Sequence, residues 1–120
     1  MEVQLMLRTA VVLLALTGAG GLLMAGIRFS GRPHPPSWLA MVHGLIAGSG
    51  LTLVLYAALT TGLPGGAWLG LAALAAAALG GVFLNLAFHL KDRPLPIPIV
   101  LIHAALAVVG LVLLAIAVWR

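Results

Sequence analysis

Four runs of about twenty or more mostly apolar residues, each closed by prolines, glycines or charges, take up nearly the whole chain. A helix needs about 20 such residues to cross roughly 30 Å of hydrocarbon, so each run predicts one transmembrane helix. The runs lie at 3–27, 38–59, 67–90 and 97–119, the first interrupted by Gln4 and Arg8. Between them, Arg28-Phe29-Ser30-Gly31-Arg32-Pro33-His34-Pro35-Pro36 ends the first helix, because proline lacks an amide donor and fixes φ. Thr60-Thr61-Gly62-Leu63-Pro64-Gly65-Gly66 is a short turn, and Lys91-Asp92-Arg93-Pro94-Leu95-Pro96 is the third connection. Pro98 falls in the first turn of the last helix, where proline is tolerated. The runs are Ala- and Leu-rich and do not alternate, which argues against β-barrel strands.

Composition supports this and excludes much else. Only 7% of the 120 residues are charged and 63% are hydrophobic; soluble domains carry about 25% charge. Such a chain cannot cover a water-facing surface, nor is it polar enough to be disordered. The absence of cysteine excludes disulfides, iron–sulfur clusters, thioether-linked haem and thiolate metal sites. A formal charge of +4 does not imply nucleic-acid binding, because the basic residues sit singly at the span edges and form no patch. The first run has the Arg8 and small residues (Thr17-Gly18-Ala19) of a secretory signal, but it stays apolar to Ile27, too long for one, and is read as a retained helix.

Short connections make neighbouring helices antiparallel, so the expected architecture is all-α: one integral membrane domain over 1–120, an up-down-up-down four-helix transmembrane bundle. Loops 28–36 and 91–96 share one side and hold Arg28, Arg32, Lys91 and Arg93, while Arg8 and Arg120 lie on the other. The positive-inside rule then puts those two loops in the cytoplasm and both termini outside, in a bacterial inner membrane.

A shift of 60 residues aligns the halves, 1–60 and 61–120, without a gap. Gly20-Gly21 falls on Gly80-Gly81, Pro36 on Pro96, His43 on His103, Ala47 on Ala107 and Gly50 on Gly110. Leucine and alanine matches are expected by chance in so apolar a chain; one histidine on another is not. This predicts a tandem repeat of two helical hairpins, related by an axis along the membrane normal.

The histidines carry the chemistry. His43 and His103 each lie seven residues after a helix-starting proline, about 10 Å along their helices at 1.5 Å per residue. An ionisable side chain at that depth must face the bundle and find a partner. Two neutral imidazoles facing each other at one level are what the iron of a b-type haem requires. Gly50 and Gly110, two turns further along, and Ala47 and Ala107, one turn along, leave room for a porphyrin on this reading. Gly20-Gly21 and Gly80-Gly81 offer clearance on the other helices, and Arg28, Arg32, Lys91 and Arg93 can neutralise its propionates. A lone helical histidine more often bonds a carbonyl, and small residues more often serve helix packing; the matched pair is what favours ligation. No carboxylate lies within a span, so a non-haem metal would need nearly all-histidine ligation. His89 closes the third helix with Asn85 one turn before it, and His34 lies in the first loop. These two are read either as ligands of a second, shallower haem or as a hydrogen-bonding residue and a solvated one.

The arrangement of His43 and His103 in the second and fourth helices, with His89 ending the third, resembles small four-helix membrane b-type cytochromes of the cytochrome b561-like and dehydrogenase-anchor kinds. Members of that b561-like group hold two haems on four intramembrane histidines, whereas two are clearly intramembrane here. The resemblance implies an electron-transfer subunit, more than a stand-alone enzyme, that exchanges electrons between quinol or ascorbate and a partner. Besides the lipid bilayer, the implied partners are further copies of the chain, other membrane or redox subunits, and quinone. The competing classes are a small transporter or channel, disfavoured by the lack of an intramembrane carboxylate, and a non-catalytic anchor or assembly subunit of a larger complex.

Overall fold

The computed structural model describes residues 2–120. These form four helices and no strand: α1 (Val3–Phe29), α2 (Ser37–Thr60), α3 (Ala67–Leu84) and α4 (Ile97–Trp119). The last turn of α3 widens into a π turn over Asn85–His89. All four helices are long and apolar enough to cross a membrane, and the chain is an integral membrane protein built as a four-helix bundle 43 Å long.

The helix ends differ from the expected ones by one or two residues. α1 runs on to Phe29, because Arg28 and Phe29 can still be helical before Gly31 and Pro33 stop the chain. α2 takes in Ser37 and Thr60, whose hydroxyl bonds the Tyr56 carbonyl one turn back. It then stops at Gly62, where φ is +81° and the amide closes on the Ala57 carbonyl at 2.9 Å. A left-handed glycine of this kind is a common helix terminator.

Helices α1 and α2 pair along their length, as do α3 and α4; α1 also touches α4, and α2 touches α3. α2 and α4 therefore stand on one diagonal and α1 and α3 on the other. Packing is tightest in the half nearer the termini. There Met6, Leu7, Ala10 and Leu14 of α1, Val54 and Ala57 of α2, Leu74 of α3, and Leu114 and Val118 of α4 form one buried cluster. Small residues set the approach of the helices. A Cβ at Gly50 would stand 2.9 Å from Leu14 and 3.3 Å from the Ala10 carbonyl. One at Gly110 would stand 2.7 Å from Leu74 and 3.0 Å from the Gly70 carbonyl. These contacts correspond under the shift of 60 residues: 10 and 70, 14 and 74, 50 and 110.

On the opposite side, the loops before α2 and α4 are tied together. Arg28 Nε donates to the Leu95 carbonyl (2.8 Å), the Leu95 amide to the Pro33 carbonyl (2.9 Å), and His34 Nε2 pairs with the Asp92 carboxylate (2.7 Å). Asp92 has φ +53°, a left-handed conformation that aspartate tolerates better than most residues.

Candidate functional site

Below those loops the bundle opens. A cavity of about 950 Å³ occupies the half of the bundle on their side, lined by all four helices. This lies within the usual range of small-molecule and cofactor sites, about 300–1,000 Å³. Its walls are mostly Leu, Ala, Gly and Met, with three imidazoles: His43 from α2 and His103 from α4 within the bundle, and His89 nearer the loops.

Each imidazole is fixed the same way. His43 Nδ1 lies 3.0 Å from the Thr17 carbonyl of α1, and His103 Nδ1 lies 2.7 Å from the Ala77 carbonyl of α3. In both cases the partner is 26 residues earlier in the chain. A carbonyl only accepts, so Nδ1 carries the proton and Nε2 keeps its lone pair. Neither Nε2 has a hydrogen-bond partner. No buried side-chain nitrogen lacks one among the described residues, so both Nε2 atoms open onto free space. A backbone carbonyl orienting the far nitrogen of a ring is the usual arrangement behind a metal-binding histidine.

The rings seat against glycine. A Cβ at Gly21 would lie 3.1 Å from His43 Cε1, and one at Gly81 3.0 Å from His103 Cε1. Gly20 and Gly80 make only ordinary contacts, with nearest approaches of 3.9 and 3.8 Å. The paired glycines thus give clearance chiefly to the imidazoles themselves. Gly50 and Gly110 do not line the cavity: both sit in the tight helix contacts of the other half, so the small residues beside the rings are instead Gly44, Ala47 and Gly48 on α2 and Ala104 and Ala107 on α4.

The ring centres of His43 and His103 are 6.3 Å apart, with planes turned 66° to each other. A metal–imidazole bond is about 2.0 Å, and a ring centre lies roughly 1.1 Å behind its nitrogen, so two imidazoles that held one metal from opposite sides would have centres about 6 Å apart. The twist is compatible, because each ring can rotate about its own nitrogen–metal line. Two ligands alone do not make a protein metal cage, and no cluster of three or more metal-binding side chains occurs among the described residues. The donor set fits a metal whose other positions are filled by a flat macrocycle, and the cavity has the size for one.

Of the four loop-side basic residues, only Arg28 lines the cavity. Arg32, Lys91 and Arg93 are exposed, because they lie beyond the helix ends in segments that turn over the outside of the bundle. His89 is buried, 7% exposed, and lines the cavity with Asn85 and Ser37. Its Nε2 is 3.4 Å from the Ser37 hydroxyl. His34 stacks on it, ring centres 4.5 Å apart at 28°. Both His34 nitrogens are engaged, Nε2 by Asp92 and Nδ1 by the Pro35 carbonyl at 3.0 Å. Both contacts favour the protonated ring, and its pKa is raised above the ordinary 6.5, first by the Asp92 hydrogen bond and then by that carbonyl. So engaged, His34 has no nitrogen free to ligate a metal and is not the solvated loop residue of the simpler expectation.

The parts of the site that the sequence did not single out are the Thr17 and Ala77 carbonyls, Ser37, and the stack of His34 on His89. The repeat contained a signal for the first two, since positions 17 and 77 are related by the same shift of 60 as the histidines. No protein-family model, curated protein or solved structure matches the chain.

Proposed function

We propose that this protein is a membrane electron-transfer subunit that binds one b-type haem between His43 and His103. One observation carries the reading: two imidazoles on diagonal helices, each locked through Nδ1 by a backbone carbonyl, face one cavity with Nε2 free and ring centres 6.3 Å apart. Iron held by two imidazoles in a porphyrin supplies one-electron exchange without taking up a substrate. The protein's own contribution is positional. Thr17 and Ala77 fix the tautomers, Gly21 and Gly81 fix the ring positions, and the apolar walls exclude water. The same features make the site a poor transport pathway, since no carboxylate lines the cavity.

In this reading the four-helix layout is like that of the small membrane b-type cytochromes. The exposed loops are too short for a separate catalytic site. With haem bound, the donor would be lipid-soluble, such as a quinol, or a neighbouring redox subunit, and the broad apolar outer faces would meet lipid or further subunits. The loops carrying Arg32, Lys91 and Arg93, with Arg28 beside them at the end of α1, face the cytoplasm of a bacterial inner membrane, and the termini lie outside.

Replacing His43 or His103 by alanine tests the assignment. Either change removes one axial ligand, and the optical spectrum goes from low-spin to high-spin or the haem is lost. Variants that keep a wild-type low-spin spectrum refute this ligand pair.

A further inference from the structure

The end of the cavity nearer the loops has no counterpart to its polarity elsewhere on the cavity wall. Apart from the two imidazoles and Thr17, whose hydroxyl is tied to the Leu13 carbonyl, the polar side chains lining it are Arg28, Ser37, Asn85 and His89. We propose that they form a carboxylate-binding subsite, split between Arg28 on α1 and the Ser37–Asn85–His89 group facing it from α2 and α3. This subsite receives the two acidic side arms of the porphyrin. The inference rests on the haem reading above, and it adds an orientation for the ring and a role for His89.

The first support is position. Ser37 precedes His43 by six residues, about 9 Å along α2 at 1.5 Å per residue. Arg28 follows Gly21, which sits at the imidazole level, by seven residues, about 10 Å along α1. Asn85 and His89 follow Gly81 by four and eight residues, about 6 and 12 Å along α3. A porphyrin centred between the imidazoles, with its acidic edge toward the loops, carries its carboxylates into this zone.

The second support is the π turn. Under the shift of 60 residues His89 corresponds to Phe29, which ends a regular helix and is 49% exposed, whereas His89 is 7% exposed. The widened turn over Asn85–His89, with the Leu90 amide bonding the Asn85 carbonyl at 2.9 Å, turns a position that faces outward in α1 into the cavity. A π turn is rare and occurs frequently at functional sites. The buried His89 has only the long contact to Ser37 through Nε2. Its Nδ1 has no partner, and because no buried side-chain nitrogen lacks one among the described residues, Nδ1 also opens onto free space.

The third support is charge. Arg28 spends Nε on the Leu95 carbonyl and Nη1 on a 3.4 Å contact to the Arg32 carbonyl, leaving Nη2 free. On the other side the His34 ring stacks on the His89 ring, and its Asp92 partner is turned outward with its side chain 90% exposed. The subsite thus has the Arg28 guanidinium on one flank, with Nη2 free, and hydrogen-bonding groups of Ser37, Asn85 and His89 on the other, which is a set that carboxylates can use. An axial-ligand role for the His34–His89 pair does not fit, because the stacked rings face each other and His34 has no free nitrogen.

The test is a titration of the full-length, haem-free protein in detergent with iron protoporphyrin and with its dimethyl ester, which lacks both acids. The wild type is expected to bind the diacid at least tenfold more tightly, with low-spin spectra from both porphyrins. Arg28→Gln and His89→Gln should each shrink that ratio while keeping the low-spin spectrum with the diacid. Equal affinities in the wild type, with low-spin spectra, overturn the subsite and leave the haem reading standing. No low-spin spectrum with either porphyrin removes the haem reading and the subsite with it.

Discussion

Gly80 and Gly81 are neighbours on one helix, and replacing each by alanine isolates the contact that seats His103. Both changes gain about the same helix propensity, roughly 0.8–1 kcal/mol in a soluble helix interior. They differ in what the new methyl meets. At Gly80 the nearest atoms are His103 Cβ and Nδ1, both at 3.8 Å, an ordinary contact. At Gly81 the methyl stands 3.0 Å from His103 Cε1 and 3.6 Å from Nδ1. The ring cannot withdraw freely, because its Nδ1 is bonded to the Ala77 carbonyl at 2.7 Å. Either that bond lengthens or α3 shifts from α4, an overpacking cost of about 1–3 kcal/mol. Gly80→Ala is therefore expected to be neutral or stabilising by up to about 1 kcal/mol. Gly81→Ala should be less stable than Gly80→Ala by about 1–3 kcal/mol. Equilibrium unfolding in mixed detergent micelles, followed by circular dichroism, measures the difference, and the His103 Nδ1–H resonance reports the strained hydrogen bond. Equal stabilities with an unmoved resonance would refute the seating of His103 on Gly81.

Gly110→Ala should be the more damaging kind of change, costing about 2 kcal/mol or more in the same unfolding assay, because its methyl meets the Gly70 carbonyl and Leu74 amide at 3.0 Å, backbone atoms that cannot rotate away. Gly44→Ala, with nothing within 4 Å, should be tolerated. The His34–Asp92 pair predicts a pH dependence. Because the folded-state pKa is raised, the pair's stabilisation is complete below about pH 6.5 and is lost as pH rises through the raised value. With Asp92 so exposed it contributes no more than about 0.5 kcal/mol; an NMR titration should place His34 above 6.5, and Asp92→Asn should lower it. A cysteine introduced as Ser30→Cys should resist an impermeant thiol reagent applied outside intact cells, and efficient labelling there would reverse the proposed orientation.

The fold could be read from the sequence because a bilayer leaves few options. Runs such as 97–119 have no other stable state in hydrocarbon than a helix, and proline-rich breaks such as Pro33, Pro35 and Pro36 mark the ends. The histidine pair was legible for a different reason: its recurrence at a shift of 60 stands out against a background of leucine and alanine. The role of Gly50 was not. Helical periodicity places it on the face of His43, but whether a glycine on that face lines a cavity or admits a neighbouring helix depends on the crossing point, here at Ala10 and Leu14. For His89 the sequence offered a candidate site residue but not the way it is turned inward. A π turn breaks the period of 3.6 on which face assignments rest, and nothing in Asn85-Leu86-Ala87-Phe88-His89 announces it. Composition counts the basic charges on a side of the membrane but does not say which of them reach inward. Only Arg28, still within α1, does so.

The central claim is that His43 and His103 hold one iron porphyrin between them. The most direct test is the optical spectrum of the purified wild-type protein, made in cells with ample haem, recorded oxidised and after reduction with dithionite. A Soret band with sharp reduced-state bands of a low-spin, bis-imidazole haem, at one haem per chain, is the predicted result. Correctly folded protein with no Soret band would contradict the account.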